Sequence, residues 1–127
     1  MNEQEKIKIP FEIDLVDGVI QNIKHPNTFH IPSNEVKSYI GIGNRVKVID
    51  KKYRERFWVE IEDFIDDYLM IGIIRNDLVS NQPYTFNDKI FLKMDNIISV
   101  EVNRNLSKRD RGIFMERRTE TLSRIKR

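Results

Sequence analysis

The residues able to do chemistry are few, and most have a structural duty that accounts for them. His25 and His30 are the only histidines, and the chain has no cysteine. A structural zinc site needs four ligands, mostly thiolates and imidazoles. The two histidines are therefore read as part of an extended connection between Pro26 and Pro32, and no metal is expected. Lack of cysteine also removes disulfides and thiol nucleophiles, and it fits a reducing compartment. Asp66-Asp67 falls in a turn, where aspartate is favoured for backbone reasons. Glu60 and Glu62 alternate onto the outer face of a strand, and Asn76-Asp77 closes another. Acid–base catalysis needs a pocket and shifted carboxyl pKa values, and spacing alone supplies neither. Gly41-Ile42-Gly43 lacks the third glycine and the strand–turn–helix setting of a phosphate loop. The expectation is a protein that is not an enzyme and holds no cofactor.

Binding chemistry is better represented. Trp58, the single tryptophan, alternates onto the face of Glu60 and Glu62 rather than that of Phe57, Val59 and Ile61. It is read either as core under a helix, the favoured option because tryptophan is highly buried on average, or as an exposed anchor of the type enriched at binding hot spots. Arg75, Asn76 and Asp77 follow a strand and complete the candidate set on the domain. A second set is basic: Arg104, Lys108, Arg109, Arg111, Arg117, Arg118, Arg124, Lys126 and Arg127, with Phe114 as the lone aromatic. Residues 104–127 carry 9 Lys/Arg against 3 Asp/Glu, whereas residues 1–103 carry 13 against 17. Seven of those nine are arginine, whose planar fork suits phosphate or carboxylate partners. Three readings stand for this tail: a solvated terminus, a nucleic-acid contact, or a helix docking in a protein groove with arginines at its rim.

The elements that must position these groups can be read from periodicity. Ile7, Ile9 and Phe11 alternate around Pro10, which marks an edge strand or extended arm. Leu15, Val16, Val19, Ile20 and Ile23 share one side of a helix over 14–24 capped by Asp14, which the pattern expects to cover the outer face of the third strand. Ser33 caps a short helix through Ile40, with Gly41 beyond it. Strands are expected at 45–49, 56–64, 68–76, 89–94 and 97–103, the third apolar on both faces and therefore central and covered twice. Asp50–Glu55, Ile65–Asp67 and Asp95-Asn96 are turns, and 77–88 is a polar loop. Ser107 caps a basic helix running to Arg127. The fold class expected is α+β: a small, strongly bent five-stranded antiparallel sheet or SH3-like barrel, with a short N-terminal helical portion and a basic C-terminal helix. Residues 1–103 form one β-rich domain and 104–127 its extension. Met1–Lys6 is polar and no long apolar run follows, so neither signal peptide nor membrane span is expected and the cytoplasm is the expected location.

This order of pieces resembles the YegJ-like bacterial family, a domain of unknown function. The likeness covers about residues 12–102. It rests on His25-Pro26-Asn27-Thr28-Phe29, Ile31-Pro32-Ser33, Gly43-x-x-Val46, Glu55-Arg56-Phe57-Trp58-Val59-Glu60, Gly72-x-x-x-Asn76-Asp77, and Asp88-x-Ile90 with Ile97. This chain has Gly43-Asn44 and Asn87-Asp88 where the family shows Gly-Asp, and a longer loop after Asp77. The resemblance implies a compact β-rich domain with a helical N-terminal portion, and it implies no catalytic activity.

The function expected is a binding module acting on a protein partner. Abundant Ile, Asn and Lys fit a phage or mobile-element origin, and an inhibitor or immunity role falls within that class. The alternative is an RNA- or DNA-binding protein using the tail, joined by Arg45, Lys47, Lys51 and Lys52.

Overall fold

Alternation along the chain builds the sheet. The computed structural model describes residues 9–101, and in it five strands follow one another: β1 (Arg45–Ile49), β2 (Arg56–Phe64), β3 (Leu69–Ile74), β4 (Lys89–Lys93) and β5 (Ser99–Val100). They pair antiparallel in the order β4-β3-β2-β1-β5. Because side chains alternate between faces, Val46 and Val48, Phe57, Val59 and Ile61, Met70 and Ile74, and Ile90 and Leu92 all point one way. Each is at most 1% exposed. Burial of an aliphatic or aromatic side chain of this size stabilises by about 1.5–3 kcal/mol, so this face is the main source of stability. A bulge between Ile61 and Asp63 then returns Phe64 to the core side.

The sheet is open. The five antiparallel strands fit the expected α+β class, and the sheet does not close into the expected barrel, since β4 and β5 lie at opposite edges and do not pair. A strap ahead of the helices ties the β4 edge to the β1–β2 turn. Phe11 pairs with the outer edge of β4, its N–H donating to Lys89 O at 2.8 Å and its carbonyl accepting from Phe91 N at 3.0 Å. Four residues on, Leu15 bridges Asp50 just past β1, through Val16 N to Ile49 O and Lys51 N to Asp14 O, both 2.9 Å.

The strap corrects the expected first helix. Helix α1 is Gly18–Lys24, and its cap is Asp17, whose Oδ1 accepts from Ile20 N at 2.9 Å. Asp14 and Leu15 are extended because their backbone is engaged by the hairpin instead. Helix α1 does not cover the outer face of β3 either. It packs on the 3-10 turn Met94–Asn96, and a methyl group added at Gly18 would lie 3.2 Å from Ile31 and from Ile98. Helix α2 is Asn34–Ser38, capped by Ser33 as expected but ending before Ile40.

β3 lies inside the sheet, paired with β2 and β4, but helix α1 is not its outer cover. Its outward residues Leu69, Ile71 and Ile73 are half-buried. Lys89 on β4 reaches across β3 to Glu62 on β2, Nζ to Oε1 2.8 Å, which lays an aliphatic stem over those side chains. The 75–88 loop is anchored by Glu55, whose carboxylate accepts from Val79 N, Ser80 N and Gln82 Nε2 at 2.7, 2.8 and 2.8 Å. Among the described residues no helix is long and apolar enough to cross a membrane. The expected basic helix, all candidates from Arg104 to Arg127, and Ile7 lie outside the described residues.

Candidate functional site

The outer face of the β1–β2 hairpin gathers the groups suited to binding. Lys47 pairs with Trp58 in register, and Ile49 pairs with Arg56 beside them. All four side chains therefore stand on the face opposite the core. Trp58 is half-buried, neither the core residue favoured by sequence nor a fully exposed one. Lys47 Nζ sits 4.8 Å from the ring centroid, a cation–π distance. On the other side Arg75 N donates to Trp58 O at 2.9 Å, and Trp58 N donates to Asn76 Oδ1 at 2.6 Å.

Two of the candidates beside Trp58 are engaged within the domain. Arg75 gives Nε to Glu60 Oε1 at 3.4 Å and Nη1 to Asn87 Oδ1 at 2.6 Å, so its guanidinium holds the loop against β2. Asn76 finishes the β2 ladder with its side-chain oxygen and donates Nδ2 to the Asp77 carbonyl at 3.1 Å. Asp77 is exposed at the start of the loop. Of the domain candidates, Arg75 and Asn76 are hydrogen-bonded to neighbouring elements, Trp58 is half-buried and Asp77 is exposed.

Sequence reasoning missed the cleft next to Trp58. Helix α1 and the β1–β2 turn enclose about 680 Å³. Val16, Ile20, Phe29 and Ile49 supply apolar lining, and Lys24, Lys51, Arg54 and Arg56 supply charge, with Asp17 and Asp50 on the opposite side of the balance. Both carboxylates have local work. Asp17 caps α1, and Asp50, 2% exposed, accepts from Lys52 N and Tyr53 N at 2.8 and 3.0 Å through Oδ1. The turn closes with Asp50 N donating to Glu55 O at 2.8 Å and places Arg54 at φ 56°. The signal that could have found this site is the basic density of residues 45–56, which hold six Lys/Arg against two Asp/Glu.

A second group of ionisable residues includes Tyr68, Asp95 of the 3-10 turn and Lys37 of α2. Tyr68 Oη donates to Asp95 Oδ2 at 3.0 Å. Desolvation first, then that bond and the charges of Asp95 and Asp17, push the Tyr68 phenol up to about 12. Burial pulls the Lys37 ammonium below its usual range, against the attraction of Asp95 and Asp17.

His25 and His30 are both exposed. His25 caps α1, and its carbonyl accepts from Thr28 N and Phe29 N at 3.2 and 2.9 Å, which fixes the connection. Asp66 lies in its expected turn, with Oδ1 accepting from Tyr68 N and Leu69 N, both at 2.7 Å. Among the described residues no three His, Cys, Asp or Glu side chains are grouped to hold a metal ion. Comparison with protein-family models, curated proteins and solved structures finds no match to this chain.

Proposed function

We propose that this chain is a non-enzymatic binding module that engages a protein partner through the outer face of the β1–β2 hairpin, with Trp58 as its anchor. The observation that carries the reading is Trp58 itself: a half-buried indole on the face away from the core, held by backbone bonds on one strand and by Lys47 on another. Tryptophan and arginine are enriched at binding hot spots, in well-packed pockets near the centre of an interface. A rigid sheet supports them, so little ordering cost is added on association. An inhibitor or immunity-type protein of a phage or mobile element, working in the cytoplasm, is the setting we favour, and the YegJ-like resemblance belongs to the same proposal.

The test is retention of a partner from lysate by the full chain, by Trp58→Ala, and by a chain lacking 104–127. The expected result is one specific partner on the full and shortened chains and none on Trp58→Ala, whose circular dichroism matches the parent. Equal retention by Trp58→Ala removes the proposal.

A second reading, an RNA- or DNA-binding protein, is supported by the composition of 104–127 together with Arg45, Lys47, Lys51 and Lys52. About six phosphate contacts predict log affinity falling against log salt with a slope near −5 on duplex. Absence of low-salt retention on duplex DNA or RNA removes it.

A further inference from the structure

We propose that the cleft between α1 and the β1–β2 turn receives an acidic segment of a protein partner, with carboxylates on its basic rim and an apolar side chain on its floor. The inference rests on the binding-face reading above and names the chemistry of the partner.

The rim is the first argument. Lys24, Lys51, Arg54 and Arg56 are all exposed, and among the described residues none lies within 4.0 Å of a carboxylate. Arg45, Arg75 and Lys89, by contrast, are ion-paired to Glu101, Glu60 and Glu62. Cations left unpaired around a concavity are free to form charge-assisted bonds with a ligand.

The backbone of Arg54 is the second. Its φ of 56° lies in the left-handed region, where a side chain costs roughly 1–2 kcal/mol and glycine or asparagine is the ordinary choice. An arginine in such a place breaks a local rule without a side-chain hydrogen bond or ion pair among the described residues to offset it, which is the pattern expected at a binding position.

The charge distribution is the third. Residues 45–56 hold six basic and two acidic side chains, whereas residues 57–101 hold three and nine. The domain is thus polarised, and an approaching acidic segment is steered to the hairpin end.

The floor separates peptide from nucleic acid. It is mainly aliphatic, with Ile20 48% exposed into it and Phe29 the lone aromatic of its lining. Single-stranded nucleic acid needs aromatic faces on which to stack successive bases, and an aliphatic floor ringed by arginine forks suits an apolar side chain flanked by carboxylates better.

The experiment is selection of a random 12-residue peptide display library on the full chain, followed by titration of the most enriched synthetic peptide. Titrations use the parent, Arg54→Gly, and the double variant Lys51→Gln/Arg56→Gln. The expected outcome is enrichment of peptides with net negative charge and at least one large apolar residue. Affinity should then fall by about tenfold or more in each variant, a loss in keeping with charge-assisted bonds. Arg54→Gly should at the same time melt no lower than the parent; if it melts lower, the double variant carries the binding test by itself. Enriched peptides without net negative charge overturn the proposal. So does undiminished binding by the double variant, or a 12-nucleotide oligouridylate that binds more tightly and displaces the peptide. If Trp58→Ala loses the lysate partner while the cleft variants keep it, the binding face stands and this inference falls. If none of the variants loses it, both fall.

Discussion

Asn76 Oδ1 lies 2.6 Å from the backbone nitrogen of Trp58. β3 ends at Ile74 and its partner β2 runs on, so beyond Arg75 a side chain supplies the acceptor that a strand would have offered. Removing it in Asn76→Ala leaves the Trp58 N–H without its partner, at a cost of about 1–3 kcal/mol. Urea unfolding should show a lower midpoint with an unchanged slope, while Asn76→Asp, which keeps an oxygen there, should sit close to the parent. An Asn76→Ala variant as stable as the parent would mean that water satisfies the amide.

The same loop gives the fold an acid limit. Partial desolvation works against ionisation of Glu55, but the bonds from Val79 N, Ser80 N and Gln82 Nε2 outweigh it, and its pKa falls from 4.5 to about 2. A folded-state pKa below the unfolded one means that the stabilisation is present in full above about 4.5 and is lost as pH falls toward 2. Unfolding followed by tryptophan fluorescence across this range should show the parent weakening more steeply than Glu55→Gln. Parallel curves for the two chains would remove Glu55 as the source.

Gly72 faces the core in register between Ile61 and Ile90. A Cβ there would stand 3.2 Å from Val59 Cβ and 3.2 Å from Leu92 Cδ2. Val59 offers a branched carbon close to its backbone, which cannot swing away, so Gly72→Ala overpacks the sheet by about 1–3 kcal/mol. For a domain of this size that corresponds to a fall in melting temperature of about 4–8 °C per kcal/mol. A calorimetric scan of Gly72→Ala at or above the parent temperature would show that β3 shifts freely.

How these elements were legible in sequence follows from how local their causes are. The bounds of β1 and β2 could be read because Val46, Val48, Phe57, Val59 and Ile61 alternate strictly and the inward set is the buried one. Ser33 could be read as a cap because its bond to Val36 N spans three residues. Leu15 could not, since its extended state depends on Asp50, 35 positions away, and apolar residues at 15, 16, 19 and 20 fit a helix equally well. That both faces of β3 are covered could be read from its apolar residues, but not that a Lys89–Glu62 ion pair, rather than a helix, crosses its outer face. As for the site, Trp58 was visible as an unusual residue on a charged face. The cleft beside it was not, because Lys24 joins Arg54 and Arg56 only when α1 has found its place.

Lys37 tests whether the α2 corner is built for stability. Its side chain is 5% exposed, and among the described residues no carboxylate lies within ion-pairing reach of it. Burial holds its pKa below 10.5, with Asp95 and Asp17 offsetting part of the effect. A lysine whose folded-state pKa is lowered destabilises the fold wherever it is charged, so the penalty is present below the folded value and relieved as pH climbs to 10.5. Methionine has nearly the same length and no charge to desolvate. Lys37→Met should therefore be more stable than the parent at pH near 7, and the gain should shrink as pH rises toward the lysine range. Denaturant unfolding of both chains at neutral and alkaline pH reads both parts of this expectation. A Lys37→Met chain less stable at neutral pH would instead show that attraction to Asp17 and Asp95 exceeds the cost of burial, making the corner an electrostatic clasp between α1, α2 and the 3-10 turn.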